Sequence, residues 1–329
     1  MTVLITRTRL AAILAAAMIH ASTALGETPA DYPSRAITYI VPFPAGGVAD
    51  ILARIYTPAL AEDLGKPIVI ENRPGASTSL ATSAVMRASP DGYTIMQVDM
   101  SYAVAPFVVV AGYDPVQGLT PVVQIARSTL VLAVNPALPV KSAPDLVALA
   151  KAKPGELKYG TSGIGTPPHL GAVSFIVATG VNMLHVPYRG AGQAFQDVVG
   201  GHLQLIFTAP SLSIQQAKLG QVRVLGITGD ARSQALPEVP TFVEVGIRMK
   251  EMDFGTWMGA VVPNATPQAI VHKLNAAFNR VLARPDVRAK LAQADYVAVG
   301  GTPAALAKVI ATQTAFWRDA LTAAGVKPE

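Results

Sequence analysis

No cysteine occurs among the 329 residues, and there is no dense run of lysine or arginine. The first absence removes disulfides and thiolate metal sites. The second, with a formal charge of only +5, removes the electrostatic footprint of a nucleic-acid binder. Histidine is scarce: after His20 there are only His169, His185, His202 and His272. No two of these stand at i, i+4 and no H-E-x-x-H is present, so a zinc site of that kind is excluded and no metal is expected. The G-x-S-x-G nucleophile elbow fails at Ile164. The dinucleotide pattern G-x-G-x-x-G fails at Pro168 when begun at Gly163 and at Phe195 when begun at Gly190. G-x-x-x-x-G-K-[ST] is missing too, so no cofactor is expected. Internal repeats of 20–50 residues are absent.

What is present begins with an export leader. MTVLITRTR carries Arg7 and Arg9, LAAILAAAMIHA is a short apolar run, and STALGE supplies small residues. That is the layout of a cleaved signal peptide over residues 1–26, with cleavage near Gly26 or Ala24. The run is too short for a bilayer span of about 20 residues, and no second run reaches that length. Loss of Arg7 and Arg9 leaves a charge of about +3. An exported, soluble, cysteine-free chain suits a periplasm.

The remainder is long enough for two domains. Strand-like and helix-like runs alternate, which predicts an α/β fold with mostly parallel sheets. AITYIVPF, KPIVIENR and YTIMQVD read as strands of a first set, and STLVLAVNP, LKYGTS, VNMLHVPY, HLQLIFTAP and VRVLGIT as strands of a second. The helix after the first strand contains Pro58, which is expected to kink or split it. From Pro267 onward the chain reads as helical, with no strand of its own. Those helices must pack on a sheet formed earlier. The predicted layout is therefore a first domain from 27–126 and 254–329, with a second, 127–253, inserted in it. Two crossings between the domains make a hinge, and ligands favour the cleft beside one.

Three strand-to-helix junctions carry the chemistry. In VPFPAGGVAD, Gly46 and Gly47 permit close approach and the helix start offers free N–H groups, with Asp50 as a possible cap. In YGTSGIGTPPHL, glycines alternate with Thr161, Ser162 and Thr166. Two such loops facing one cleft would clamp a carboxylate with main-chain and hydroxyl donors. In VPYRGAGQA, Tyr188 could cover a ligand and Arg189 could pair with its carboxylate, or both could be ordinary core and surface residues. His169 reads as a helix-packing histidine.

With these loops in hand, the chain resembles the Bug family, the periplasmic receptors of tripartite tricarboxylate transporters. The matching pieces are YPSRAITYIVPFPAGGVADILAR, VIENRPGA, SPDGYTI, KPGELKYGTSGIGTPPHL, VPYRGAGQAFQDVVGG, KLGQVRVLGITGDARSQALPEVPTFVEVG and WMGAVVPNATP, in that order. The resemblance implies a type II periplasmic-binding-protein fold, two α/β domains joined by two crossing strands around a ligand cleft. It implies a monomeric receptor that captures a small organic carboxylate and delivers it to membrane permease subunits. Ligand-facing loops would be 43–49, 75–80, 100–103, 161–166, 187–191 and 208–211. The residues so implicated are Phe43, Ala45, Gly46, Gly47, Ala49, Ser77, Thr78, Ser101, Thr161, Ser162, Gly163, Thr166, Tyr188 and Thr208. Three departures from the family pattern stand out: Ser77-Thr78-Ser79 where glycine and asparagine are usual, Ala49 in place of a hydroxyl residue, and Gln204 in place of aspartate. Two other readings stand beside it: a sensory receptor of the same fold with a signalling partner, and an exported hydrolase using Ser162 or Ser79.

Overall fold

The computed structural model describes residues 31–323 except 234, 253 and 254. The predicted leader lies outside the described residues. No helix among them is long and apolar enough to cross a membrane.

The chain opens with β1 (Ile37–Val41), α1 (Val48–Leu64), β2 (Ile68–Asn72), α2 (Ser79–Met86), β3 (Thr94–Asp99), α3 (Met100–Val104) and β4 (Leu119–Ser128). It then enters a second sheet with β5 (Val131–Val134), α4 (Ala143–Ala152), β6 (Lys158–Thr161), α5 (Pro167–Thr179), β7 (Leu184–Pro187), α6 (Ala191–Val199), β8 (Leu205–Thr208), α7 (Pro210–Lys218) and β9 (Arg223–Ile227). It returns through β10 (Thr256–Pro263), α8 (Gln268–Ala283), α9 (Pro285–Gln293), β11 (Val297–Gly300) and α10 (Pro303–Ala323). The first sheet has the order β11-β4-β10-β3-β1-β2 and the second β7-β6-β8-β5-β9. The chain therefore passes between the sheets twice, after Ser128 and after Ile227.

Both sheets are mixed, which corrects the expectation of mostly parallel pairing. β1 runs parallel to β2 and β3, and β6 parallel to β7 and β8. β10 is antiparallel to β3 and β4, and β5 is antiparallel to β8 and β9. The antiparallel pairs lie where the chain enters or leaves a sheet, because a strand arriving from the other sheet does not come through a βαβ crossover. β10 is buried at all eight positions and β5 at all four, as strands covered on both faces require.

Two further expectations need correction. α1 is continuous through Pro58. Pro58 is exposed, so the Arg54 carbonyl it leaves unpaired meets water instead of the core. The C-terminal segment does contain a strand, β11, an edge strand on β4. Its four residues are too few, and too exposed on one side, to stand out between two helices.

The first sheet is held to its helices by an amphipathic stripe on α8: Ile270, Val271, Leu274, Ala277, Phe278 and Val281 are buried. On α10, Leu306, Ile310, Trp317 and Leu321 repeat the pattern. In the second lobe Phe175, Phe207 and Phe242 pack with ring centroids 5.8 Å apart in each pair. A buried relay fixes the start of α1. Tyr39 donates to Tyr56 (2.7 Å), Tyr56 donates to the Gln97 amide oxygen (2.6 Å), and Gln97 donates to the Ala49 carbonyl (3.1 Å).

Candidate functional site

A cavity of about 480 Å³ lies between the two sheets. Its first wall comes from residues 43–49, Pro74, Asp99, Thr256, Trp257, Met258 and Tyr296. Its second wall comes from Leu130, Ser162, Pro167, Pro168, residues 189–193, Thr208 and Ala209. Strand ends and helix starts from both sheets thus meet at one place, as the topology of open α/β sheets favours.

The β1–α1 turn is rigidly tied. Asp50 is only 2% exposed and accepts from the Gly46 N–H (2.9 Å), from Arg54 twice (2.9 and 3.0 Å) and from Asn72 (3.1 Å). Burial alone would raise its pKa; the bonds from Arg54, Gly46 and Asn72 outweigh that and hold it below the usual carboxylate range. Asn72 also donates to the Phe43 carbonyl (3.0 Å). The N-cap position belongs to Gly47, so Asp50 acts from inside the first turn and reaches back to the loop. Gly46 has φ +76°, which explains its glycine; Gly47 is extended at φ −75°. The Gly46 N–H serves Asp50 and the Gly47 N–H serves the Pro44 carbonyl (3.2 Å). What remains for a ligand is the first-turn N–H of Val48 and Ala49, which no helix bond can use.

The second loop is more self-contained than its sequence suggests. Thr161 shares a 2.7 Å hydrogen bond with His185 Nε2, and its hydroxyl accepts from the Gly163 N–H (3.2 Å). Thr166 donates to the Gly163 carbonyl (2.6 Å), and the Gly165 N–H donates to His169 Nδ1 (3.1 Å). Pro167 and Pro168 bring no N–H to the start of α5. Only Ser162 from this loop, with the two prolines, reaches the cavity wall; Thr161, Gly163 and Thr166 do not. Behind the loop the His169 and His185 rings stack at 4.5 Å, and Tyr159 stacks on His185 at 5.0 Å. Burial, and then the neighbouring His185, push the His169 pKa down to about 3; burial pushes His185 down to about 4.

At the third junction the aromatic candidate drops out and the arginine comes in. Tyr188, in the turn before α6, donates to Asp197 on α6 and is not part of the cavity wall. Arg189 lines the cavity and has no ion pair or hydrogen bond among the described residues. After Gly190, an N-cap without a side-chain bond, α6 presents the free N–H groups of Ala191, Gly192 and Gln193 to the cavity. This is the best-furnished anion site on the wall: a helix start beside an unpaired guanidinium.

Of the remaining sequence candidates, Phe43, Ala45, Gly46, Gly47, Ala49 and Thr208 all line the cavity. The Thr208 hydroxyl is fully buried and has no partner among the described residues. Ser77, Thr78 and Ser101 sit off the wall. Ser77 instead donates to the Ile164 carbonyl (2.6 Å), joining the loop after β2 to the loop after β6. Ala76, Ser77 and Thr78 carry φ of 45°, 48° and 77°, a run of left-handed residues that L side chains rarely adopt. Gln204 accepts from the Lys158 N–H (2.8 Å), away from the cavity. Neither Ser162 nor Ser79 is hydrogen-bonded to a histidine or a carboxylate among the described residues. No group of three or more His, Asp or Glu able to hold a metal occurs among them.

Sequence reasoning missed Asp99, Thr256, Trp257, Met258 and Tyr296. Asp99 ends β3 immediately before a loop that was predicted to face the ligand, so its position carried a signal. Tyr296 carried none: it enters from the end of α9, nearly 200 residues beyond Asp99.

Comparison with known proteins agrees with this architecture. Residues 52–326 match the tripartite tricarboxylate transporter family receptor, TctC. BugT of Bordetella pertussis is 31% identical over 326 residues, covering 97% of this chain and 98% of BugT. The solved structure of the periplasmic binding protein BugD superposes with a TM-score of 0.84 at 29% identity, covering 91% of this chain and all of BugD. Rpa4515 of R. palustris, solved with adipate, superposes with a TM-score of 0.85 at 33% identity, covering 91% of this chain and 100% of its own. From this match, with the two mixed α/β sheets and the cavity between them, the chain belongs to the tripartite tricarboxylate transporter receptor family.

Proposed function

We propose that the protein is a periplasmic receptor that captures a small organic carboxylate and hands it to the permease subunits of a tripartite transporter. The observation that carries this reading is the unpaired Arg189 beside the free N–H groups at the start of α6, on the wall of a cavity between two lobes. A carboxylate there receives charge-assisted hydrogen bonds from the guanidinium and from the main chain. The adipate bound by the relative Rpa4515 supports the ligand class. The lobes comprise 27–126 with 254–329, and 127–253; they close on ligand about the two crossings, and the closed face is what the permease recognises. Binding occurs without turnover, a reading supported by Ser162 and Ser79, neither of which is bonded to a histidine or carboxylate among the described residues. A signal peptide cleaved near Gly26 would deliver the chain to the periplasm as a monomer.

Thermal unfolding against citrate, succinate, glutarate, adipate, nicotinate and benzoate tests the proposal. A ligand at about 100 times its Kd stabilises by roughly 2.7 kcal/mol, a clear rise in Tm. If none of these acids shifts Tm in protein freed of co-purified ligand, the reading fails.

A further inference from the structure

Asp99 is a carboxylate on the cavity wall, 5% exposed, with no cation paired to it among the described residues. Its donors there are local: the Ser101 N–H at 2.9 Å, which caps the short helix α3, with the Ser101 hydroxyl and the Tyr102 N–H beside it. Capping does not require charge. Asparagine or serine caps as well and avoids the cost of burying a carboxylate. That cost is visible: burial pushes the Asp99 pKa up to about 6, so the group still carries its charge at neutral pH. Its field reaches the buried Tyr296, also on the wall, whose pKa is raised first by its own burial and next by Asp99. The Thr208 hydroxyl, on the opposite wall, is a further buried polar group without a partner.

The walls therefore differ in sign. Arg189 and the start of α6 attract an anion, and Asp99 repels one. A ligand that is negative throughout would bring like charge against a poorly solvated carboxylate. A ligand with a hydrogen-bond donor there turns that repulsion into a charge-assisted bond.

We infer that Asp99 is a specificity residue that selects, among small carboxylates, those carrying an ammonium or hydroxyl donor. This rests on the carboxylate-receptor reading above. The acid group lies toward Arg189 and α6, and the donor is received by the Asp99 carboxylate, which has no cation of its own among the described residues.

Calorimetric titration of the purified protein with matched acids tests the inference. The sets are succinate, malate and aspartate; glutarate, 2-hydroxyglutarate and glutamate; and benzoate with its 3- and 4-hydroxy forms. Asp99→Asn is measured in parallel, since asparagine retains the cap; Asp99→Ser is the second variant should the first fold poorly. The expected result is a donor-bearing tightest binder, about tenfold or more above its donor-free parent. In Asp99→Asn that ratio collapses, while the parent binds equally well or better. A donor-free parent that binds wild type best, or a ratio unchanged in the folded variant, overturns the inference and leaves the receptor reading standing. No binding by any acid refutes the receptor reading itself and removes this inference with it.

Discussion

The stacked pair His169–His185 makes the protein acid-sensitive in a calculable way. Both imidazoles are neutral in the fold. His169 Nδ1 accepts from the Gly165 N–H, which places its proton on Nε2, and His185 Nε2 is engaged with Thr161. Their pKa values are depressed to about 3 and about 4, below the ordinary value near 6.5. The unfolded chain thus takes up protons as pH falls through about 6.5, and the native chain does not until far lower. Stability is full above pH 7 and falls by about 1.4 kcal/mol per pH unit for each histidine. At pH 4.5 the loss is about 3 kcal/mol per histidine. Asp99 works in the opposite sense, because its raised pKa of about 6 makes the fold bind a proton more readily than the unfolded chain. It returns about 2 kcal/mol at the same pH. The net expectation is a loss of about 3–4 kcal/mol between pH 7 and 4.5. Urea unfolding at stepped pH, followed by the fluorescence of Trp257 and Trp317, measures it. The His185→Gln variant isolates the cause: its stability relative to wild type is expected to improve by about 3 kcal/mol over that range. Parallel pH curves for the two proteins would refute the argument.

Other predictions follow from single contacts. Arg189→Ala is expected to weaken carboxylate binding tenfold or more by titration calorimetry while leaving the ligand-free Tm unchanged, because Arg189 has no side-chain bond among the described residues. Asp50→Ala leaves Gly46, Arg54 and Asn72 without their shared acceptor, and denaturant unfolding should register a loss of about 2–3 kcal/mol. Gly255 has φ +63°, and an added Cβ would stand 2.5 Å from the Ser128 carbonyl oxygen, at the passage between the sheets. Gly255→Ala should therefore cost about 1–3 kcal/mol and alter closure, read by small-angle scattering with and without ligand. Wild-type stability in that variant would show that the passage tolerates a shift.

The α/β class and the three junctions were legible because they rest on local patterns: buried strands as apolar runs, then glycine, then a helix start. The loop at 43–49 lines the cavity for that reason, and Thr208, implicated only by the family resemblance, lines it too. Ownership of hydrogen bonds was not legible. Thr161 and Thr166 look like ligand donors in sequence, yet short turns let their hydroxyls satisfy the loop itself. Tyr188 was claimed by Asp197, nine residues on in α6. Antiparallel pairing of β10 with β3 and β4 joins segments more than 120 residues apart, so it follows from packing rather than from periodicity.

Sequence by itself determined most of the strands and helices, though not β11 or the continuity of α1 through Pro58, and the motifs that place the chain in its family. Only the tertiary structure decided which polar atoms remain unspent. It left Arg189 unpaired on one wall and set Asp99 against Tyr296 on the other. A residue's type states what it can donate or accept; its neighbours in space determine what is left for a ligand.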